Sequence, residues 1–239
     1  MLSVIKTNLE GCKNYIKRPK VRNETIPKIW QLKYTIIPVA IIVCLIFFNL
    51  DTPVEIYIRN SFPHIVGDIF QDITPVGKAS YIIIICAVIL LLRLITDINK
   101  LSENLSKLFN KLSSYAGFML ATVIIGGIVG QVLKTIIGRA RPKFFEEFGS
   151  HYFQHFHAPG YDFASMPSGH SITIASIAVV MMLLLPKFKY LWLLIAVIIA
   201  FSRVVVTSHY PSDVVFGFYM GTYSSLYIYY WMKNRNLIQ

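Results

Sequence analysis

The sequence is poor in cysteine, in acidic side chains and in charge of either sign. Its three cysteines, Cys12, Cys44 and Cys86, exclude a disulfide framework, and two of them lie inside apolar runs. Asp and Glu number only 12 in 239 residues, against 23 Lys and Arg, and charged residues make up 15% of the chain. With 55% apolar residues and a mean hydropathy of +0.56, that is too little charge for a soluble globule. A continuous basic stripe is also missing. The Lys and Arg residues behind the formal charge of +11 cluster between apolar runs, so the charge reads as loop bias at a membrane, with no nucleic-acid partner. Nor does a cleavable signal stand out. The first apolar run starts near Thr35, behind a long basic leader, and is expected to stay as a spanning anchor.

Apolar runs are what the chain has in quantity. Six are legible, at about 35–50, 80–95, 115–137, 171–185, 190–206 and 214–231, each near the length that crosses a bilayer. The expected fold is an all-α integral membrane domain with six transmembrane helices over 35–232. It is flanked by a basic segment, 1–34, and a short tail, 233–239. Between the first two runs, Ile65, Val66, Ile69, Phe70 and Ile73 recur at helical spacing, which predicts a short amphipathic interfacial helix. That helix serves packing or walls a groove for lipid entry. Residues 96–114 read as a polar loop, and Gly126, Gly127 and Gly130 as sites of close helix packing. Residues 1–34 carry eight Lys or Arg and two acids, the pattern of a topology determinant on anionic headgroups or of a partner site.

Three polar clusters interrupt the apolar pattern between Lys134 and Asp213. They are Lys134 through Arg141-Pro142, then Pro167-Ser168-Gly169-His170, then Ser202-Arg203 through His209 to Asp213. A helical hairpin between the second and third returns the chain to the face it left, so all three should meet on one side. Their residue types define a chemistry. Lys134, Arg141 and Arg203 supply cations, and Ser168 with the amides at Gly169 supplies donors at a helix N-terminus. His170 and His209 add two imidazoles, and Asp213 stands four residues after His209, placed to fix its tautomer. Such a set suits phosphoryl transfer, where positioning and charge stabilisation dominate. Simpler roles exist for single members: Lys134 and Arg203 as snorkelling anchors, Ser168 as a helix cap.

The pattern K-x6-R-P, P-S-G-H, S-R-x5-H-x3-D resembles the type-2 phosphatidate phosphatase superfamily, which shares its site with vanadium haloperoxidases. Every position of that pattern is filled here. The resemblance implies a six-helix lipid phosphatase without metal or other cofactor. It implies His209 as nucleophile, Asp213 as its orienting partner and His170 as acid and base. Lys134, Arg141, Ser168, Gly169 and Arg203 would hold the phosphoryl oxygens. The substrate would be a phosphorylated membrane lipid, with lipid A 1-phosphate favoured over undecaprenyl pyrophosphate, phosphatidylglycerol phosphate and phosphatidate. Transfer of the phosphoryl group to a lipid hydroxyl is the alternative reaction, and a non-catalytic lipid-binding protein the alternative class.

Two further expectations concern the surroundings. Sixteen of the 23 basic residues fall on one side of a six-span topology, which makes that side cytoplasmic. Both termini then lie in the cytoplasm of a bacterial inner membrane, and the site faces the periplasm. The segment 138–166 carries His151, His155 and His157, which serve as metal ligands, as headgroup contacts or simply as solvated side chains. Its Phe144, Phe145, Tyr152, Phe153 and Phe156 read as an interfacial aromatic belt.

Overall fold

The structure, a computed structural model, describes residues 2–156, 160 and 162–238. Its helices are α1 (Leu2–Ile16), α2 (Leu32–Asn49), α3 (Asp51–Ser61), α4 (His64–Ile73) and α5 (Ala79–Ile95). They continue as α6 (Glu103–Ile137), the single turn α7 (Phe145–Phe148), α8 (Gly169–Leu184), α9 (Lys189–Val205) and α10 (Pro211–Lys233). Among the described residues the only β-type pairing is an isolated bridge between Arg139 and Phe153. The fold is all-helical, as expected.

Helix α8 is the axis. Every residue from Ser171 to Ser176 is buried, and the helix packs on α6, α9 and α10. A helix apolar on all sides belongs at the centre of a bundle. α2 is the reverse case, with Ile37, Ile41, Leu45 and Phe48 facing outward and Val43 buried. Such outward apolar faces are stable only against lipid. Among the described residues, four stretches are long and apolar enough to cross a membrane: Leu32–Asn49, His64–Ile95, Glu103–Ile137 and Pro186–Val205. Gly169–Leu184 is a shorter apolar helix, and α10 is long but rich in Ser, Thr and Tyr. The protein is an integral membrane protein.

Small residues set how close these helices come. Gly126 and Gly130 of α6 face Ile172 of α8, where an added Cβ would lie 3.0 Å and 2.5 Å from its side chain. Gly127 meets nothing within 4 Å, so it plays no part in the packing expected of it. On α10, Gly217 and Gly221 lie against the α8 backbone. A Cβ at Gly217 would stand 2.5 Å from the carbonyl oxygen of Ser168. This small-xxx-small contact draws the start of α10 against the start of α8.

The structure departs from the sequence reading at two places. Most of the expected 96–114 loop is helix, because α6 begins at Glu103 and a Glu103–Lys107 pair bridges its first turns at 2.5 Å. At 1.5 Å per residue the 35-residue helix is about 52 Å long, so its polar start stands outside a bilayer core of about 30 Å. The basic N-terminus also forms a helix, α1. It docks through Asn8, which donates to Leu94 O at 2.8 Å, and through Tyr15, whose hydroxyl lies 2.9 Å from Ser114 Oγ. Val21 N donates to Asn234 O at 2.8 Å, so the N-terminus, the α5–α6 turn and the C-terminus share one end. α5 and α6 each run from that end to the other, which holds residues 51–78, 138–156, 162–170 and 206–213.

Candidate active site

At this second end the three polar clusters come together. α6 stops at Gly138, whose φ of +63° closes the helix through a bond from its N–H to Lys134 O. No side chain fits there, since a Cβ would lie 1.7 Å from Gln154 O. The turn leaves Lys134 facing inward on the last turn of α6. Its Nζ donates to Ala164 O at 2.5 Å, and Arg141 Nη2 reaches the same carbonyl at 3.3 Å. Arg141 Nη1 also lies 3.3 Å from Ser208 O, one residue before His209.

The third cluster is folded by a tight turn after α9. Ser208 N and His209 N both donate to Arg203 O, at 3.0 Å and 3.1 Å. Thr207 bridges them with a φ of +47°, a strained conformation for a β-branched residue. Arg203 Nη1 donates to Thr74 Oγ1 at 2.8 Å, which ties α9 to the α4–α5 turn. Ser168 caps α8 by accepting from Ser171 N at 3.4 Å, and its own N–H donates to Asp213 O at 3.0 Å. The cap role and a phosphate role are therefore compatible. Gly169 opens α8 beside Lys134, whose Cε lies 4.0 Å from where its Cβ would be. His170 faces Gly77 and sits in the field of Arg203, Lys78, Arg141 and Lys134.

All eight expected site residues thus share one buried region. Lys134, Arg141 and Arg203 are each 7–8% exposed, Ser168 and Asp213 fully buried, and His209 2% exposed. Burial with positive neighbours is costly for an imidazolium, and it pushes His209 down to about 3. His209 is therefore neutral. Its Nδ1 stands 3.8 Å from Asp213 Oδ2, longer than a hydrogen bond. Asp213 Oδ2 instead accepts from Ser165 Oγ at 2.6 Å and from Tyr210 N at 3.0 Å.

Residues that the three motifs do not specify complete the site. Arg139, counted in the sequence only as one of the basic residues, is fully buried. Its Nη1 donates to Asp213 Oδ1 at 2.6 Å, and its Nη2 to Asp51 Oδ2 at 2.7 Å. Thr74 and Lys78 come from the α4–α5 turn. Their contribution has no sequence signal, because each is a single residue with no spacing to a motif. A groove of about 460 Å³ opens beside Arg203 and Ser208, with Thr74, His64, Asp68 and Gln71 along its wall. The amphipathic α4 thus does wall a groove.

In the segment before the second motif, Phe148 stacks on Tyr152 at 4.4 Å and Phe144 on Phe163 at 5.9 Å, while Tyr152 and Phe156 stand 39% and 77% exposed. His151 Nε2 lies 2.8 Å from Phe47 O, and His155 Nδ1 3.3 Å from Ile136 O. His157 lies outside the described residues. Among the described residues no three His, Cys, Asp or Glu side chains converge in a way that would hold a metal ion.

The same stretch decides the family. A family model, the PAP2 superfamily, matches residues 115–237, just over half the chain. The chain belongs to the PAP2 superfamily. A lipid A 1-phosphatase of Rhizobium etli is 32% identical over 203 residues, covering 84% of this chain and 84% of that protein. An undecaprenyl-diphosphatase of Sulfolobus acidocaldarius is 31% identical over 108 residues, 45% of this chain and 50% of its own. A transmembrane PAP2-type phosphatidylglycerolphosphate phosphatase from Bacillus subtilis has the same fold. It superposes with a TM-score of 0.60 at 20% identity, over 85% of this chain and 96% of that one. This PAP2 protein is accordingly a membrane phosphatase.

Proposed function

We propose that this protein removes the 1-phosphate of lipid A at the periplasmic face of a bacterial inner membrane, through a phosphohistidine on His209. One observation carries the reaction: three buried cations, a helix N-terminus and two histidines, both pushed toward the neutral form by burial and those cations, share a single region. His209 Nε2, the ring nitrogen away from Asp213, attacks phosphorus. The bond from phosphorus to the lipid oxygen breaks. His170, whose pKa is pushed down to about 4 by burial and Arg203, takes up a proton beside the anionic phosphate and gives it to that oxygen. Water then attacks the phosphohistidine, losing its proton to His170, and the P–N bond breaks to release phosphate. Lys134, Arg141, Ser168, Gly169 and Arg203 hold the phosphoryl oxygens throughout.

The substrate reading is supported by the Rhizobium relative's coverage of both chains and by the polar wall of the groove beside Arg203, which suits a sugar headgroup. The orientation is supported by the gathering of both termini and the α5–α6 turn, all basic, at the end away from the site. In this reading residues 35–232 form the six-span phosphatase unit, and 1–34 and 233–239 lie in the cytoplasm. Undecaprenyl diphosphate is the second substrate reading, favoured by the Sulfolobus relative.

A panel of lipid A, undecaprenyl diphosphate, phosphatidylglycerol phosphate and phosphatidate, read by phosphate release and lipid mass, tests this assignment. Loss of one phosphate from lipid A alone is expected, with activity unchanged by EDTA. Preference for another lipid would replace the substrate, and a lipid product gaining about 80 mass units would make the reaction transfer. Strict metal dependence would bring His151, His155 and His157 back as a ligand set.

The pH dependence of the first step has a defined sign. A nucleophilic histidine is lost as pH falls through its pKa, so a value near 3 moves that loss far into acid. Phosphoenzyme formation is expected not to fall between pH 7 and pH 5, because His209 stays neutral while the protonated form of His170 that the step needs grows. A histidine of ordinary pKa near 6.5 would lose about 25-fold over the same interval. Rapid-quench measurement of the phosphoenzyme separates the two.

A further inference from the structure

We infer that Arg139, at an unspecified position within the first motif, and Asp51, outside all three, are positioning residues that aim Asp213 and leave it a usable negative charge beside His209. The geometry around Arg139 is saturated. Nε donates to Ser150 O at 3.2 Å, and Nη2 to Ser150 O and Asp51 Oδ2, both at 2.7 Å. Nη1 donates to Ser212 Oγ at 2.7 Å and to Asp213 Oδ1 at 2.6 Å. All five N–H groups of the guanidinium are used, and Tyr210 and Phe47 cover it at 4.2 Å and 4.8 Å from their ring centres. A fork held this fully cannot turn.

Asp51 is equally constrained. Its Oδ1 accepts from Ser212 N at 3.0 Å, and Oδ2 accepts from Arg139 and from the Ser212 hydroxyl. The first residue of α3 is thereby tied to the first turn of α10. With the Asp213 bonds to Ser165 and Tyr210 N, three donors fix one carboxylate in place. That explains how Asp213 is aimed without a close bond to His209.

Charge accounts for the second carboxylate. Arg139 alone would cancel Asp213, leaving nothing to balance a cationic ring. Two buried carboxylates on one guanidinium leave the group one net negative charge. That charge faces His209 at 3.8 Å, among the cations of Lys134 and Arg141. It becomes useful when His209 carries a phosphoryl group and turns positive. The effect belongs to the chemical step and hardly touches the cations that hold the substrate phosphate.

This inference rests on the covalent reading of His209, and a mutant cycle tests it separately. Asp51→Asn keeps the shape and removes the charge. Its kcat should fall about 10- to 100-fold, the range such supporting partners carry at other centres, with KM within about threefold. In an Asp213→Asn background the same change should cost little more, because Asp51 acts through Asp213. An unchanged kcat would overturn the inference, and so would equal losses in both backgrounds. If Asp51→Asn does not accumulate as folded protein, Ser212→Ala and Arg139→Lys are measured the same way. They should show the same split of kcat from KM and the same non-additivity with Asp213→Asn. A rise in KM alone in those variants would overturn it. Full activity in His209→Ala would end the covalent reading and is a distinct result from any of these.

Discussion

His209→Ala is expected to stop turnover, lowering kcat by about 10⁴-fold or more while the protein keeps its fold. The backbone N–H of residue 209, donated to Arg203 O at 3.1 Å, survives the change. The turn after α9 therefore stays closed and the three cations stay in place. What is lost is the nitrogen that bonds to phosphorus. Hydrolysis without it would need water positioned by the same cations, a much slower route. Activity within about tenfold of the wild type, measured as phosphate release in native membranes, would mean that another group attacks.

Gly217→Val is expected to have the second largest effect, through geometry alone. A Cβ at Gly217 would stand 2.5 Å from Ser168 O and 3.1 Å from Ser168 N, both backbone atoms that no rotamer change can move. α10 must shift from α8, carrying Asp213 away from Ser168 and from Arg139. Overpacking of this kind costs about 1–3 kcal/mol of stability. A displacement near 1 Å at the site costs about 100-fold in rate. Gly127→Ala is the control, since nothing lies within 4 Å of that position. It should leave activity unchanged, and thermal stability equal or slightly higher. Equal behaviour of the two variants would show that the α8–α10 contact does not set the site.

The motif residues were legible because their spacing is local and their chemistry is complementary. Lys134 and Arg141 bracket one helix end, His209 and Asp213 one turn, and the hairpin α8–α9 brings Ser168 back to Arg203. The residues that sequence reading passed over meet across long distances. Asp51 lies 88 positions from Arg139 and 161 from Ser212, so no window of the chain contains the pair. In the sequence neither Asp51 nor Arg139 stands at a spacing that points to the other. Only burial shows that each charge answers another.

Helix α1 was missed for a related reason. It has no long apolar run, and its docking depends on side-chain bonds from Asn8 and Tyr15 to partners about 86 and 99 positions away. Hydropathy finds helices that lipid stabilises and overlooks those held by a few polar contacts. The same bias set the expected start of α6 at Tyr115, where apolar residues begin. The helix itself begins at Glu103, where charged i,i+4 pairs sustain it in water.

The most direct test of the account is to trap the phosphoenzyme. Wild-type protein would be mixed with radiolabelled lipid A, quenched in base within its first turnover and digested. The account predicts label on a single peptide containing His209, lost on acidification, and none from His209→Ala protein. Label on any other residue, or full label without His209, would contradict it.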